Sequence, residues 1–409
     1  NETDSLLQEL LVAMKAVLIW TDIGNYHAAR SRSLSDLSSL RLDTVEVLSE
    51  SSYIQFRACQ KELSAINYHA VGLDRPVTWK KIFSPLEKIL TQLRPGVVFV
   101  PGWSMVEALA VLQWCGIHAV PAVIMTESNR IDSPRRWHEE KLKKRIVSLA
   151  AAALVGGTPQ AEYVKELGMP EEMIFSGYDV VDNDHFAVNA DAARHLASAL
   201  REKHHLPQQY LLCCARLVEK KNLSRLIQAF RLVIDRATAP DLHLVIVGPG
   251  PLEAELLSLV ETLHLSGRVH LKGAKSYDDM PAFYGLAEAL ILPSTTEQWG
   301  LVVNEAMAAG LPVLVSQRCG SSVDLVREGD NGFTFDPYDV QAIANAIERI
   351  FSPGCDRSAM GKASRKIIAD WGLERFATGF EAAAKAAVSR PKRRAGIFDR
   401  MLLRALASR

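Results

Sequence analysis

Short apolar runs alternate with longer segments of helical period along nearly the whole chain. A parallel strand buried on both faces reads as a continuous apolar run, and the connection to its neighbour is usually a helix. In the first half these runs are KAVLIW (15–20), VEVLS (45–49), VVFVPG (97–102), AVPAVIM (119–125), AALVGG (152–157) and IFSGYD (174–179). In the second half they are YLLCCARL (210–217), LHLVIVG (242–248), VHLKG (269–273), ALILPS (289–294), PVLVS (312–316) and GFTF (332–335). Each half therefore predicts its own doubly wound α/β sheet, with ligand crevices at the carboxyl ends of the strands. The predicted division is an extension over 1–13, a first domain over 14–185, a linker over 186–207 and a second domain over 208–370. A helix over 371–389, crossing back to the first domain, and a basic tail over 390–409 complete the chain. The natural place for an active site is a cleft between the two domains, whose closure would exclude water.

Composition narrows the function classes. A chain of 409 residues exceeds one core of ordinary size, in keeping with two domains. Hydrophobic residues at 48% and charged residues at 23% fit a globular protein. Lys plus Arg equals Asp plus Glu, 47 each, so no global field draws the chain to nucleic acid. No apolar run approaches the length of a membrane span. The segment NETDSLLQELLVA lacks the features of a signal peptide, and Met14 is expected to open the first strand. Cys59, Cys115, Cys213, Cys214, Cys319 and Cys355 show no C-x-x-C spacing and are expected as free, mostly buried thiols in a reducing cytosol.

Two segments carry the candidate chemistry. In PSTTEQWGLVVNEAMAAGLPVLVS (293–316), a strand ends at Pro293 and a helix is predicted from about Gly300. A helix N-terminus opened by glycine offers free N–H groups to anionic oxygens. Glu297 on the loop and Glu305 in the helix suit the gripping of sugar and ribose hydroxyls, because each carboxylate accepts several hydrogen bonds. In ARLVEKKNLSRLIQAF (215–230), Arg216 and Lys221 are predicted at the carboxyl end of a strand. A guanidinium fork plus an ammonium forms a natural clamp for a diphosphate leaving group.

With these elements in order, the chain resembles the retaining family-4 glycosyltransferases of the GT-B fold, in which two Rossmann-like domains face each other across a cleft. Glu297 and Glu305 meet the E-x7-E pattern, and Arg216 and Lys221 match the phosphate-binding pair. The resemblance implies Arg216, Lys221 and Glu297 as catalytic and Glu305 as the ribose partner. It implies donor contacts at the backbone of Trp299, Gly300, Leu301 and Val302, a base pocket along Gly273, Ala274 and Lys275, and a contact at Gly24. It further implies a nucleotide-diphosphate sugar as co-substrate, a hydroxyl acceptor and no metal or other cofactor. The expected place of work is the cytoplasm, with peripheral contact to an anionic membrane face. The chain departs from the pattern at Cys319-Gly320, at Asp324, at Trp299 and in the first half, where the glycine loop is reduced to Gly24 and Glu127-Ser128 stands where a His is common.

Other readings of single features stay open. His27, Glu127 and Ser128 are candidate acceptor-side residues, with core or capping roles as the alternative. Asp182-Asn183-Asp184 imitates a metal-binding D-x-D but falls at the predicted hinge and reads as structural. The pair Gly248 and Gly250 reads as the turn that opens a helix. Basic residues gather between Arg130 and Arg145 around Trp137, and again after Ser389 among IF and MLL. They predict either solvated faces or a surface that lies on anionic lipid. A sugar-nucleotide epimerase and a non-catalytic sugar-nucleotide-binding subunit are the competing functions.

Overall fold

In a computed structural model of the chain, residues 14–48, 63–391 and 393–408 are described. The extension 1–13, Ser49, Cys59, Lys392 and Arg409 lie outside them.

The chain folds as two α/β units, each around a parallel sheet. Among the described residues, the first comprises those up to 130, 134–180 and those from 373 on, and the second 131–133 and 181–372. The strands of the first are β1 (Lys15–Trp20), β2 (Arg41–Leu48), β3 (Tyr68–Leu73), β4 (Val97–Pro101), β5 (Ala122–Thr126), β6 (Ala152–Val155) and β7 (Ile174–Ser176). They lie in the order β3-β2-β1-β4-β5-β6-β7. The second holds β8 (Tyr210–Cys214), β9 (His243–Val247), β10 (Val269–Leu271), β11 (Ala289–Leu292), β12 (Val313–Ser316) and β13 (Gly332–Phe335), in the order β10-β9-β8-β11-β12-β13. Every registered pair is parallel. Strand order thus reverses between β1 and β4 and between β8 and β11, and these are the switch points at which such sheets bind ligands.

The strands are near-continuous Val, Ile, Leu and Ala because helices cover both faces; Val98, Phe99, Leu212, Val245 and Ile291 are wholly buried. β3 carries no such signal. It lies at a sheet edge, none of its residues is buried, and YHAVGL breaks the apolar run. Several predicted runs also extend past their strands into carboxyl-end loops, as at Ala215–Leu217 and Pro293–Ser294. Of these, Leu217 is buried in the core of the second unit and Ala215 packs against it.

The predicted linker over 186–207 is corrected. Its residues fold as the helices Asn183–His195 and Ala197–His204 and belong to the second unit. Phe186 is buried with its ring 5.9 Å from that of Tyr284, His185 stacks 4.3 Å from Tyr277, and Arg194 donates to the Ala309 carbonyl at 2.6 Å. The sequence reads as polar because the outer faces of these short helices are solvated. Asp182 caps the first of them, accepting the His185 N–H at 3.0 Å, which gives the D-x-D imitation a structural job.

The helix Leu373–Ser389 belongs to the first unit. Its Phe380 ring stacks 3.6 Å from Phe99, and Ala383, Ala384 and Ala387 are fully buried in that core. Within the predicted basic tail over 390–409, Ile397–Leu406 is a helix; its Leu403 and the following Ala407 belong to the same core. Burial of a leucine contributes about 1.5–3 kcal/mol toward docking the helix. Cys115, Cys213, Cys214 and Cys319 are buried free thiols and Cys355 is half-buried. Burial pushes the Cys213 and Cys319 thiols up to about 12, so both stay protonated and inert near neutral pH.

Candidate functional site

The second unit brings sequence-distant residues together at the carboxyl ends of β8 and β11. After β8 the chain crosses Ala215 and the exposed Arg216, then makes a 3-10 turn, Glu219–Lys221, before the helix Leu223–Asp235. Asn222 sits between turn and helix in the left-handed conformation, φ 59°, which asparagine tolerates better than most residues. Its buried side chain donates to the Pro293 carbonyl at 3.0 Å and the Pro337 carbonyl at 2.7 Å. Thr295 N–H adds a bond to the Lys220 carbonyl at 2.9 Å. These bonds clamp the lysine turn against the loop that follows β11.

The result is a direct ion pair between Lys221 Nζ and Glu297 Oε2, with side chains only 12% and 15% exposed. Ser294, fully buried, donates its hydroxyl to the same carboxylate oxygen at 3.3 Å. Of the two adjacent lysines, Lys221 is the one that the turn directs at Glu297.

The Glu297 loop is itself pinned. Glu297 N–H donates to the Arg318 carbonyl at 3.3 Å, Gly320 N–H to the Glu297 carbonyl at 3.1 Å, and Ser321 N–H to the Trp299 carbonyl at 3.1 Å. Cys319 Sγ also lies 2.7 Å from the Trp299 carbonyl. The departure Cys319-Gly320 is therefore part of the scaffold of the glutamate loop. Trp299 packs inward, its Nε1 donating to Asn304 Oδ1 at 2.9 Å and its ring 5.2 Å from Trp371. Gly300 precedes the helix Leu301–Ala308 at φ 98°; a side chain there would be strained and would meet Cys319 Sγ at 2.9 Å. The first amides of that helix, at Leu301 and Val302, have no carbonyl a turn earlier and are half-buried, which makes them anion donors.

Glu305, in the helix Leu301–Ala308, is buried at 2% exposure. Tyr284 donates its hydroxyl to Glu305 Oε2 at 2.5 Å. The carboxylate also adjoins Cys214, the last residue of β8, and contributes with burial to holding that thiol well above its usual range. Tyr284 was not among the predicted site residues. Its signal in the sequence is slight, a phenol within the short apolar helix MPAFYG (280–285).

Gly273, Ala274 and Lys275 follow β10. The Gly273 carbonyl accepts the Gly248 N–H at 2.9 Å, and Lys275 Nζ lies 5.7 Å from the Phe283 ring centre. Gly248, at φ 140°, would place a Cβ 2.1 Å from the Ala215 carbonyl, so only glycine lets this loop lie on the Arg216 segment. The G-x-G pair thus serves close backbone approach as well as the turn before the helix Glu253–Thr262.

The remaining candidates lie in the first unit, after β1 and β5. Gly24 opens the helix Asn25–Leu37, and its N–H donates to His27 Nδ1 at 3.2 Å. His27 lies 4.3 Å from the Trp20 ring; burial first, then Arg30, lowers its pKa to about 3, so the imidazole is neutral near pH 7. The charge of Glu127 acts on the buried carboxyl of Asp179. Burial first, then the charge of Glu127, holds Asp179 well above the carboxylate range. Ser128 N–H donates to Thr126 Oγ1 at 3.1 Å. Among the described residues, no group of three or more His, Cys, Asp or Glu is placed to hold a metal ion.

The fold is that of the GT-B glycosyltransferases, two Rossmann-like domains in one chain. Residues 197–367, the stretch that carries Arg216, Lys221, Glu297 and Glu305, match the family model for glycosyl transferases group 1. Over 204 residues the chain is 31% identical to the GDP-mannose-dependent alpha-(1-6)-phosphatidylinositol monomannoside mannosyltransferase of Mycolicibacterium smegmatis, covering 48% of this chain and 50% of that protein. It is 28% identical over 162 residues to the N-acetyl-alpha-D-glucosaminyl L-malate synthase of Bacillus anthracis, covering 39% of this chain and 41% of that protein. The chain thus spans about half the length, or less, of these curated relatives. Among solved structures, HepE of Anabaena in complex with UDP and glucose is similar with a TM-score of 0.69 at 16% identity, covering 90% of this chain and 98% of that one. Sucrose-phosphate synthase of Thermosynechococcus elongatus gives a TM-score of 0.71 at 19% identity, covering 90% and 97%.

Asn222→Ala is expected to lower unfolding stability by about 2–4 kcal/mol, since two buried carbonyls lose their donor. Urea denaturation measures that loss, and a change below experimental error would remove Asn222 from its role as the clamp of the lysine turn.

Proposed function

We propose that this chain is a retaining glycosyltransferase of the family-4 type, moving a hexosyl unit from a nucleotide-diphosphate sugar to a hydroxyl acceptor. The observation that carries this reading is the convergence of Lys221, Glu297 and the Gly300 helix start at the strand-order reversal of the second sheet. A cation, a sugar-gripping carboxylate and free amides meet there, which is what a sugar diphosphate requires.

Catalysis in this reading is charge handling by Arg216 and Lys221. The bond between the anomeric carbon and the diphosphate oxygen breaks, and a bond to the acceptor oxygen forms on the same face. The acceptor proton passes to the departing phosphate, and the two cations stabilise the negative charge that grows there. The buried Glu305 holds the ribose once Tyr284 shares its carboxylate, and Glu297 holds sugar hydroxyls. The neutral His27 and the Glu127–Asp179 pair are assigned to the acceptor side. This scheme asks for no metal, because Arg216 and Lys221 supply the positive charge. The work takes place on the cytoplasmic side, where the buried free thiols remain reduced.

A thermal-shift series with UDP-, GDP- and ADP-sugars tests the reading. GDP-mannose is named in one relative and UDP in one structural neighbour, so these two bases come first. A donor at a hundredfold excess over its Kd should add about 2.7 kcal/mol of stability. Release of nucleoside diphosphate should then depend on an added acceptor. Failure of every donor to shift the melting temperature would sink the proposal. Interconversion of sugars with donor alone would replace it by an epimerase, and donor binding without transfer or hydrolysis by a binding subunit.

A further inference from the structure

The helix Ile397–Leu406 breaks the usual rule for a surface helix. Its inner face, Asp399 and Leu403, continued by Ala407 at its C-cap, is buried at four-residue spacing against the first unit. The opposite face is apolar as well: Ile397 is 62% exposed, Phe398 80% and Met401 63%. A helix held only by its own core would place polar residues there. Instead the polar residues are cations at the border, with Arg400 and Arg404 exposed and Arg393 and Arg394 exposed just before the helix.

The only carboxylate of the helix has been turned away from this face. Asp399 is 3% exposed and receives Arg145 Nε at 2.7 Å and the Gly396 N–H at 3.2 Å. Ala395 N–H donates to the Gly116 carbonyl at 2.9 Å and Arg393 Nη1 to the Ser148 carbonyl at 2.7 Å, so the approach to the helix is tied to its unit. Through Arg145 the helix also joins Trp137–Val147, where Trp137 is 72% exposed under the Lys141 ammonium, 4.7 Å from its ring. The two basic stretches of the sequence are thus one connected feature of the first unit. Among the described residues, no helix is long and apolar enough to cross a membrane.

We propose that the outer face of Ile397–Leu406 seats the protein on an anionic bilayer, with Ile397, Phe398 and Met401 entering the interface and the flanking arginines on lipid phosphates. Large exposed apolar side chains rimmed by arginine, with the acid directed inward, match the chemistry of such a surface. A tryptophan beside a lysine suits the same boundary. Charge selects lipid over a second copy of the chain: two such faces would bring like arginine rims together, whereas anionic headgroups neutralise them. The inference deepens the reading of a transferase that works at the cytoplasmic membrane face, but its test needs neither donor nor acceptor.

Flotation of the full chain with vesicles of equimolar phosphatidylcholine and phosphatidylglycerol should recover the protein, and vesicles of phosphatidylcholine alone should not. Phe398→Glu with Met401→Glu is expected to weaken binding by about tenfold or more, because two apolar side chains no longer enter the interface. Arg400→Glu with Arg404→Glu should weaken it comparably and reduce its salt dependence. These side chains are exposed, so melting temperature and donor-induced shift should stay as in the wild type. Absence of binding to the anionic vesicles, or equal binding by wild type and the Phe398/Met401 variant, overturns the proposal. So does self-association in vesicle-free buffer that the variant abolishes, which would assign the face to a second copy. Loss of the donor shift with vesicle binding intact would count against the donor site alone.

Discussion

Arg216→Ala should lower kcat by about two orders of magnitude or more, in the range found when a group that stabilises developing negative charge is removed. The side chain is exposed at the carboxyl end of β8, so the fold should not suffer, and the melting temperature should stay near that of the wild type. Removal of a contact made mainly in the transition state lowers kcat and kcat/KM together. A variant that raises KM alone would recast Arg216 as a ground-state phosphate ligand. Wild-type turnover would end its assignment altogether. The measurement is steady-state release of nucleoside diphosphate with acceptor present.

The second large effect concerns Lys221 and Glu297 as a unit. Each satisfies the other in a setting that is largely closed to water. Removal of one leaves a partly buried charge without its partner, so the single replacements do more than delete one contact. Lys221→Ala and Glu297→Ala should each cost about tenfold to a thousandfold in kcat/KM. The double variant should be little worse than the poorer single one, because groups that act together give strongly non-additive losses. Additive losses in this cycle would separate the two residues and remove the pair from the donor site. The pair also has a consequence for donor binding. A diphosphate competes with Glu297 for the Lys221 ammonium, so donor affinity should fall as added salt screens the phosphate.

The positions of the strands were readable because burial on both faces forces an unbroken apolar run. β3 was not, since an edge strand with one wet side need not obey that pattern. The helices from Asn183 to His204 were misread as a linker because their polarity comes from a solvated outer face, while their attachment depends on Phe186, His185 and Arg194 meeting residues about a hundred positions away. Such contacts leave no local periodicity.

For the candidate site, residue types, spacing and the family resemblance together pointed to Glu297, Glu305, Arg216 and Lys221. Lys220 beside Lys221 left the exact lysine open. The 3-10 turn and the left-handed Asn222 made that choice by fixing which ammonium reaches Glu297. The sequence could not show that Tyr284 occupies Glu305, or that Cys319-Gly320 pins the glutamate loop. At the far end of the chain, the sequence supplied the apolar and basic residues after Ser389 but left open which would face inward. Packing of Leu403 and Ala407 into the first core, with Arg145 on Asp399, turned Phe398 and Met401 outward. Composition and periodicity thus determined two parallel α/β sheets and which charged residues stand near their strand ends. Pairing, burial and the facing of side chains were decided only in three dimensions, because they depend on contacts between residues far apart in the chain.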